Sequence, residues 1–364
     1  MTSFVSLGLK KEIRDVLASE GFKEMTEVQE KIIPLTMQGK NVVFTSMTGS
    51  GKTLAYTVGF LKKINTKLNI QVLIMVPTRE LCVQIYKELK KICEPLGIRV
   101  GALYGGRDAS GDYRTTSQRN HVMVGTPGRL IQHVNKKKIK IGDVKCLIYD
   151  ESDQMFNNGF YGHCAYAKER ASKDAQIILS SATITEEVER FIEEEVGTYE
   201  LVKVGAEIPE SIVQEKIYCD KLGKNDIVRK YFTEKKFKRA IIFCNTRIKS
   251  ASISKFLKDN GYNAQPINGD MEQRERTKIL NLFKEGKVQV LVGTDVAARG
   301  LHIEDVDIVI NYDVPTKPEF YVHRIGRTGR RDKNGYALTL ICPEDKDRFY
   351  DIEVIFGVNA KNVS

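Results

Sequence analysis

The chain has 364 residues, a formal net charge of +10 and seven cysteines. At about 150 residues per domain, this length predicts two domains. The odd number of cysteines, without a C-x-x-C pair, argues against a disulfide framework and against a zinc site. Because no apolar run approaches the roughly 18 residues of a membrane helix and no signal-peptide core is present, we expect an intracellular protein of the cytoplasm, the nucleus or both.

Two amphipathic helices are predicted near the N-terminus, one over residues 7–20 and one that begins at Gln29. Phe22 lies between them. The amide of a Gln side chain donates and accepts hydrogen bonds at once, as the reading of an adenine edge requires. An exposed Gln at a helix start, without any ligand, is the alternative.

A phosphate-binding loop is predicted between a strand at residues 41–45 and the next helix. Its residues are Ser46, Met47, Thr48, Gly49, Ser50, Gly51, Lys52 and Thr53. The glycines permit a tight turn whose backbone N–H groups point at an anion, and the helix N-terminus adds partial positive charge. Lys52 would reach the outer phosphates and Thr53 would hold Mg²⁺. Ser46 replaces the first glycine of the strict motif, but the strand and helix flanks favour a phosphate site over a ligand-free turn.

Small, hydroxyl-bearing and cationic residues follow the next three predicted strands, at residues 71–76, 100–104 and 121–124. They are Pro77, Thr78 and Arg79, then Gly105 and Gly106, then Thr126, Pro127, Gly128 and Arg129. Strand ends in open α/β sheets carry function, and such groups suit a sugar-phosphate backbone. Each segment alone would be an ordinary turn. The basic residues, spread evenly over both halves of the chain, suit a polyanion but also a Lys-rich surface.

A strand at residues 146–149 ends at Asp150 and Glu151. Downstream of a phosphate-binding loop, such an Asp holds Mg²⁺ through water and the adjacent carboxylate orients the attacking water. A charged helix cap is the less favoured alternative. A further strand at 176–179 leads to Ser181 and Thr183.

The short polar stretch 204–214, interrupted by Gly and Pro, predicts a linker between domains at 1–203 and 215–364. The second domain has strands at 213–219, 240–244, 264–267, 288–292, 306–311 and 335–341, without a phosphate-binding loop. Arg324, Arg327 and Arg330 recur at every third residue after its fifth strand. An Arg delivered to a γ-phosphate is worth roughly 10³ to 10⁵ in rate, although a solvated basic turn or an RNA patch is the alternative.

In this order, the motifs resemble those of the DEAD-box RNA helicases of superfamily 2, over nearly the whole chain. The tetrad here is Asp150-Glu151-Ser152-Asp153, and His302 replaces an Asp of the family pattern. The resemblance implies an α/β fold of two tandem RecA-like domains with mainly parallel sheets flanked by helices. ATP and Mg²⁺ are the implied cofactors.

The resemblance also implies roles for residues. Catalysis would use Lys52, Glu151, Arg327 and Arg330, while Phe22, Gln29, the phosphate-binding loop and Asp150 bind the nucleotide. Ser181, Thr183 and His323 would couple hydrolysis to unwinding. RNA would be bound by the three strand-end segments of the first domain and by Asn245, Arg276, Thr294 and Asp295 of the second.

The implied activity is an RNA-stimulated ATPase coupled to local unwinding of RNA duplexes or remodelling of RNA–protein complexes. The expected partner is RNA, bound by its backbone without sequence preference, and protein regulators of domain closure are further expected partners. We expect a monomer that does not bind a membrane. An ATP-gated RNA clamp with little unwinding is one alternative. A DNA-directed translocase of the same superfamily is another.

Overall fold

A computed structural model describes residues 2–46, 50–106, 109–204, 208, 211–235, 237–269, 271–295, 303, 306–329 and 334–363. The chain divides into two compact units, Met1–Ala206 and Glu207–Ser364. This division falls inside the stretch 204–214 that the sequence suggests as a linker. Residues 212–214 instead begin a strand, because Ile212 is buried in the core of the second unit and pairs with Gly335.

The first unit contains seven strands and, within its described residues, nine α-helices. The strands are β1 (Val42–Thr45), β2 (Val72–Met75), β3 (Val100–Leu103), β4 (Val122–Gly125), β5 (Cys146–Tyr149), β6 (Gln176–Ser181) and β7 (Glu200–Lys203). The helices are α1 (Lys11–Ser19), α2 (Glu27–Met37), α3 (Lys52–Leu61), α4 (Arg79–Cys93), α5 (Ala109–Ser117), α6 (Pro127–Asn135), α7 (Ser152–Asn157), α8 (Tyr161–Arg170) and α9 (Glu186–Phe191). A π-helical turn, Ile192–Val196, follows α9.

The strands of the first unit form one parallel sheet in the order β3-β4-β2-β5-β6-β1-β7. Its inner strands are short apolar runs buried on both faces, as expected for a parallel sheet covered by helices. Alternate residues of β1 enter different hydrophobic clusters, Val42 and Phe44 on one face and Val43 on the other. The sheet is therefore the middle layer of three.

The second unit repeats this architecture. Its strands are β8 (Ile212–Tyr218), β9 (Ala240–Phe243), β10 (Ala264–Ile267), β11 (Val290–Gly293), β12 (Ile308–Asn311), β13 (Gly335–Ile341) and β14 (Lys361–Asn362). They form a second parallel sheet in the order β10-β11-β9-β12-β13-β8-β14. The described helices are α10 (Lys224–Lys235), α11 (Arg247–Asp259), α12 (Gln273–Lys284), α13 (Pro318–Ile325) and α14 (Lys346–Phe356).

The predicted α/β class, with parallel sheets flanked by helices, is confirmed. One helix begins earlier than predicted: α2 starts at Glu27, because Thr26 and Gln29 form a reciprocal capping box that leaves Gln29 as the third helical residue. Within the part of the chain that the structure describes, no helix combines the length and the apolar composition that a membrane crossing needs.

Candidate functional site

The strand order of the first unit sorts the predicted motifs into two groups. All strands are parallel, so their carboxyl ends lie at one edge of the sheet. The segments predicted to bind RNA follow β3, β4 and β2, which are neighbours. The phosphate-binding loop, the acidic tetrad and the coupling residues Ser181 and Thr183 follow β1, β5 and β6, the next three strands. In sequence, the RNA segments lie between the loop and the tetrad, but the sheet sorts the two groups into adjacent halves of one edge.

Lys52 is the first residue of α3 and is 93% buried, with 7% of its surface exposed. Its Nζ donates to the carbonyl oxygen of Ser46, 3.1 Å away. Gly51, the residue before it, has a φ of +93°, in the left-handed region that favours glycine. Met47, Thr48 and Gly49 lie outside the described residues. The lysine is therefore buried at the helix N-terminus, bonded to a neutral carbonyl that a phosphate oxygen can replace.

Gln29 connects α2 to the phosphate-binding loop. Its Nε2 donates to the carbonyl of Gly51 at 3.2 Å, and its Oε1 accepts from the backbone N–H of Thr26 at 3.0 Å. The hydroxyl of Thr26 donates to the carbonyl of Ser50 at 2.8 Å. A Cβ atom at Gly51 would overlap the Gln29 amide, so the loop and the amide fit closely. Phe22 is 36% exposed. To read an adenine, Gln29 has to exchange these internal bonds for bonds to the base.

Asp150 and Glu151 are both buried at the end of β5. Both oxygens of the Asp150 carboxylate accept hydrogen bonds from hydroxyl groups, Oδ2 from Tyr56 at 3.1 Å and Oδ1 from Ser180. Glu151 has a φ of +56°, which residues other than glycine rarely adopt. Such backbone strain costs about 1–3 kcal/mol and is typical of functional sites.

Ser181 and Thr183, two of the three residues predicted to couple hydrolysis to unwinding, contact Asp153 of the acidic tetrad. Both the backbone N–H and the hydroxyl of Thr183 donate to Asp153 Oδ2, at 3.3 and 3.1 Å. The hydroxyl of Ser181 accepts from the backbone N–H of Asp153 at 3.3 Å and donates to the carbonyl of Thr183 at 2.7 Å. A movement of this turn therefore reaches the tetrad directly.

Arg79 joins two of the segments predicted to bind RNA. Its guanidinium lies against Gly105 and Gly106, where a Cβ atom on Gly106 would overlap it. Gly106 has a φ of +72°, so glycine satisfies both the backbone and the close approach. Thr78 caps α4 by accepting from the N–H of Leu81 at 3.3 Å, while Pro77 is buried.

Arg129, in the third of these segments, is held by a buried cluster that the sequence does not reveal. Its Nη2 forms an ion pair with Asp112, and its Nη1 donates to Gln132 at 2.6 Å. The Nε2–H of His133 donates to the same Asp112 oxygen at 2.7 Å. Among the described residues, Asp112 Oδ1, Arg129 Nε and His133 Nδ1 are buried without a hydrogen-bond partner. Thr126 precedes α6 and Gly128 lies in its first turn, where an added Cβ atom would be 4.0 Å from the side chains of Phe160 and His163.

In the second unit, Arg324 is the centre of a buried network. It is 1% exposed and forms a bidentate pair with Asp295, from Nε at 2.6 Å and from Nη2 at 2.7 Å. Nη2 also donates to Asn245 at 3.2 Å, and Nη1 donates to the carbonyl of Asp313 at 2.7 Å. Asn245 and Asp295, both predicted to bind RNA, are thus brought together by an arginine side chain.

Four other predicted residues of the second unit are described. Arg327 and His323 are buried, Thr294 is half-buried after β11, and Arg276 is half-buried on α12. Arg330 and His302 lie outside the described residues.

The arrangement fits a nucleotide with Mg²⁺. Among the described residues, no group of three or more His, Cys, Asp or Glu side chains could hold a metal ion alone. Mg²⁺ usually keeps several waters and binds through one or two carboxylates together with substrate phosphates. Asp150 provides such a buried carboxylate, and Lys52 provides a cation that could hold the phosphates.

Comparisons with known proteins identify the family. The DEAD/DEAH box helicase model matches residues 26–191, and the helicase conserved C-terminal domain model matches residues 223–332. The DEAD-box ATP-dependent RNA helicase CshA of Geobacillus kaustophilus is 39% identical over 357 residues, covering 97% of this chain and 76% of that protein. The chain belongs to the DEAD-box family of ATP-dependent RNA helicases.

Further members of the DEAD-box family resemble this chain in sequence and in structure. CshA of Listeria monocytogenes is 39% identical over 348 residues, covering 95% of this chain and 67% of that protein. The structure of S. cerevisiae Dbp5 bound to RNA and ADP BeF3 has a TM-score of 0.90 at 27% identity, covering 100% of this chain and 96% of Dbp5. A DEAD box protein from Methanococcus jannaschii has a TM-score of 0.59 at 32% identity, covering 100% and 99%. The tandem RecA-like fold is confirmed.

Four residues of the site were not predicted from the sequence: Tyr56, Ser180, Asp112 and His133. Tyr56 lies in the apolar stretch of α3 and Ser180 lies inside β6, so each reads as a core residue. Asp112 lies in a short polar helix and His133 near the end of α6. Their contacts depend on tertiary packing, and no local pattern indicates them.

Proposed function

We propose that the first unit binds ATP·Mg²⁺ at the edge formed by β5, β6 and β1, and that RNA binding stimulates its hydrolysis. The observation that carries the proposal is that Lys52 and Asp150 are both buried at this edge, Lys52 bonded to a neutral carbonyl and Asp150 to two hydroxyls. Bound ATP would supply the phosphoanhydride bond whose hydrolysis drives the remodelling.

The phosphates would be held by the loop Ser46 to Thr53, including Met47, Thr48 and Gly49, with Lys52 exchanging the Ser46 carbonyl for a phosphate oxygen. Phe22 and Gln29 would bind the adenine. Thr53 and, through water, Asp150 would hold Mg²⁺. Glu151 would orient the attacking water and accept its proton.

Hydrolysis would also need groups of the second unit. Arg327 and Arg330 would stabilise the negative charge on the γ-phosphate, which increases the rate by roughly 10³ to 10⁵. Ser181, Thr183 and His323 would couple this step to RNA. RNA that binds both units would favour the hydrolytic conformation by its higher affinity for it.

RNA would be bound by its backbone, because the residues concerned offer N–H groups, hydroxyls and cations rather than base-specific side chains. In the first unit these are Pro77, Thr78, Arg79, Gly105, Gly106, Thr126, Pro127, Gly128 and Arg129, and in the second Asn245, Arg276, Thr294 and Asp295. The solved structures of Dbp5 with RNA and ADP BeF3 and of Mss116p with ssRNA and AMP-PNP support this assignment.

We further infer that the protein acts as a monomer and that a protein regulator can control it, as the complex of Dbp5 with Gle1 and IP6 suggests. The described cysteines are free thiols, which supports a reducing, intracellular environment. The names of the relatives favour a helicase over a nucleotide-gated RNA clamp and over a DNA-directed translocase.

The test is steady-state ATPase activity with and without single-stranded RNA. We expect stimulation by RNA and a loss of at least about a hundredfold in Glu151→Gln, because general base catalysis contributes about 10² to 10⁴. Single-stranded DNA of equal length is the matched control and should stimulate less. Turnover that RNA leaves unchanged, together with tight RNA binding in the presence of a non-hydrolysable ATP analogue, would contradict the helicase proposal.

A further inference from the structure

The carboxylate of Asp150 is held by two hydroxyl groups from two different elements. Tyr56, on α3, donates to Oδ2 at 3.1 Å, and Ser180, on β6, donates to Oδ1. Tyr56 and Ser180 are 0% exposed and Asp150 is 3% exposed. Because each carboxylate oxygen has its own donor, rotation of the carboxylate about its Cβ–Cγ bond would break both hydrogen bonds.

Tyr56 also connects Asp150 to the phosphate-binding loop. Tyr56 follows Thr53 by three residues, so both lie in the first two turns of α3. Thr53 and Asp150 are the two residues proposed to hold Mg²⁺, so the Tyr56 hydroxyl joins the helix that carries Thr53 to the Asp150 carboxylate.

Ser180 connects the Asp150 carboxylate to the next two residues of the tetrad. While its hydroxyl donates to Asp150, it accepts from the backbone N–H of Glu151 at 3.4 Å. Its carbonyl accepts from the hydroxyl of Ser152 at 3.1 Å. Ser180 thus touches the residue proposed to hold the metal, the backbone of the proposed base and the residue that follows it.

We propose that Tyr56 and Ser180 are positioning residues that hold the Asp150 carboxylate in the orientation that binds hydrated Mg²⁺, an inference that rests on the proposed nucleotide site. Each carboxylate oxygen has two lone pairs, so it can accept a hydroxyl from the protein and still accept a water from the ion. Hydrogen bonds of this kind orient carboxylate ligands, and losing one typically costs 10- to 100-fold in metal affinity or activity.

The experiment measures binding of a fluorescently labelled ADP to the full chain as MgCl₂ is titrated. In Tyr56→Phe, which removes one oxygen atom, we expect the Mg²⁺ concentration for half-maximal binding to rise about tenfold. Nucleotide affinity in EDTA should stay at the wild-type value. Ser180→Ala should raise the Mg²⁺ midpoint similarly, and Ser180→Thr, which keeps the hydroxyl, should restore it.

Tyr149→Phe is the matched control. Tyr149 is also 0% exposed, but its hydroxyl donates to the carbonyl of Cys164 at 3.1 Å, in the core on the opposite face of the sheet. This substitution should leave the Mg²⁺ midpoint unchanged. A midpoint in Tyr56→Phe and Ser180→Ala equal to that of the wild type and of Tyr149→Phe would overturn the inference.

The same titration separates this inference from the proposed function. If the wild-type protein binds labelled ADP equally well with and without Mg²⁺, the metal role of Asp150 is wrong and the inference is overturned with it. If the wild type depends on Mg²⁺ while the variants match it, only the inference is overturned. Equal losses of affinity with Mg²⁺ and in EDTA would show that the two hydroxyls act on the fold alone, which also overturns it.

Discussion

The two units of this helicase have the same strand order, but the lysine that begins the helix after one matching strand has different bonding partners in each unit. The order β3-β4-β2-β5-β6-β1-β7 of the first sheet recurs strand for strand as β10-β11-β9-β12-β13-β8-β14. In this correspondence β1 matches β8, and the helix that follows each strand begins with a lysine, Lys52 in α3 and Lys224 in α10. The pair of lysines allows a direct comparison between a nucleotide site and its counterpart.

In the first unit, Lys52 donates to the neutral carbonyl of Ser46. In the second unit, Lys224 donates to the carbonyl of Tyr312 at 2.6 Å and to the carboxylate of Asp313 at 3.2 Å. Its side chain is 3% exposed and that of Asp313 is 5% exposed. The glycine-rich loop is replaced by a 3-10 turn, Lys221–Gly223. The second unit thus neutralises its lysine internally, at the place where the first unit leaves a lysine for a ligand.

The Asp313 carboxylate is ionised at neutral pH, so its ion pair with Lys224 is retained there. Burial by itself would raise its pKa, but the backbone N–H of Asn245, the hydrogen bonds from Lys249 and the charge of Lys224 outweigh burial and lower the pKa. A carboxyl whose pKa is lowered on folding stabilises the protein above its unfolded pKa of about 3.9. That stabilisation is lost only as the pH falls through the lower, folded pKa.

The largest expected difference between the two lysines concerns the free energy of unfolding. We expect Lys224→Met to lower the free energy of unfolding by about 3 kcal/mol, because it leaves a buried carboxylate with fewer partners. Lys52→Met, the same change at the matching position, should cost about 1 kcal/mol, the net worth of one hydrogen bond to a carbonyl. Urea unfolding followed by circular dichroism measures both. Equal losses in the two variants would contradict the proposed difference in use.

A smaller effect concerns the RNA half of the first unit. Asp112→Asn keeps the shape of the side chain but removes the charge that faces Arg129 and His133. We expect the RNA concentration for half-maximal ATPase stimulation to rise roughly three- to tenfold, since replacing a hydrogen bond to a charged group by a neutral one costs about 1 kcal/mol. The KM for ATP without RNA should not change.

Asp226→Asn is the control for this substitution, because Asp226 forms an exposed ion pair with Arg229 one helical turn away. Exposed pairs contribute about 0–1 kcal/mol, so its RNA dependence should equal that of the wild type. An Asp112→Asn protein with wild-type RNA dependence would show that Arg129 needs no carboxylate to reach RNA.

Much of the fold could be predicted because buried parallel strands are short apolar runs. The strands Cys146–Tyr149, Ala264–Ile267 and Gly335–Ile341 match their predicted limits residue for residue. The edge strands β7 and β14 were not predicted, because β7 is mostly exposed and β14 has two exposed residues. Their sequences carry no apolar run, and pairing with β1 and β8 alone makes them strands.

The site could be predicted only where a motif is contiguous. Lys52 and Asp150 each lie in a recognisable local pattern, and the structure brings both to one edge of the sheet. The contact between Tyr56 and Asp150 joins residues 94 positions apart, and an apolar helix gives no reason to expect it. Asn245 and Asp295 were predicted from their strand ends, but their shared bond to Arg324 arises only from the fold.

The number of nucleotides bound per chain tests the comparison most directly. Equilibrium binding of labelled ADP with Mg²⁺ should give one site per chain, lost in Lys52→Met and retained in a folded Lys224→Met protein, because only the first unit offers its lysine to a ligand. Two sites per chain, or one site that Lys52→Met leaves intact, would contradict the account.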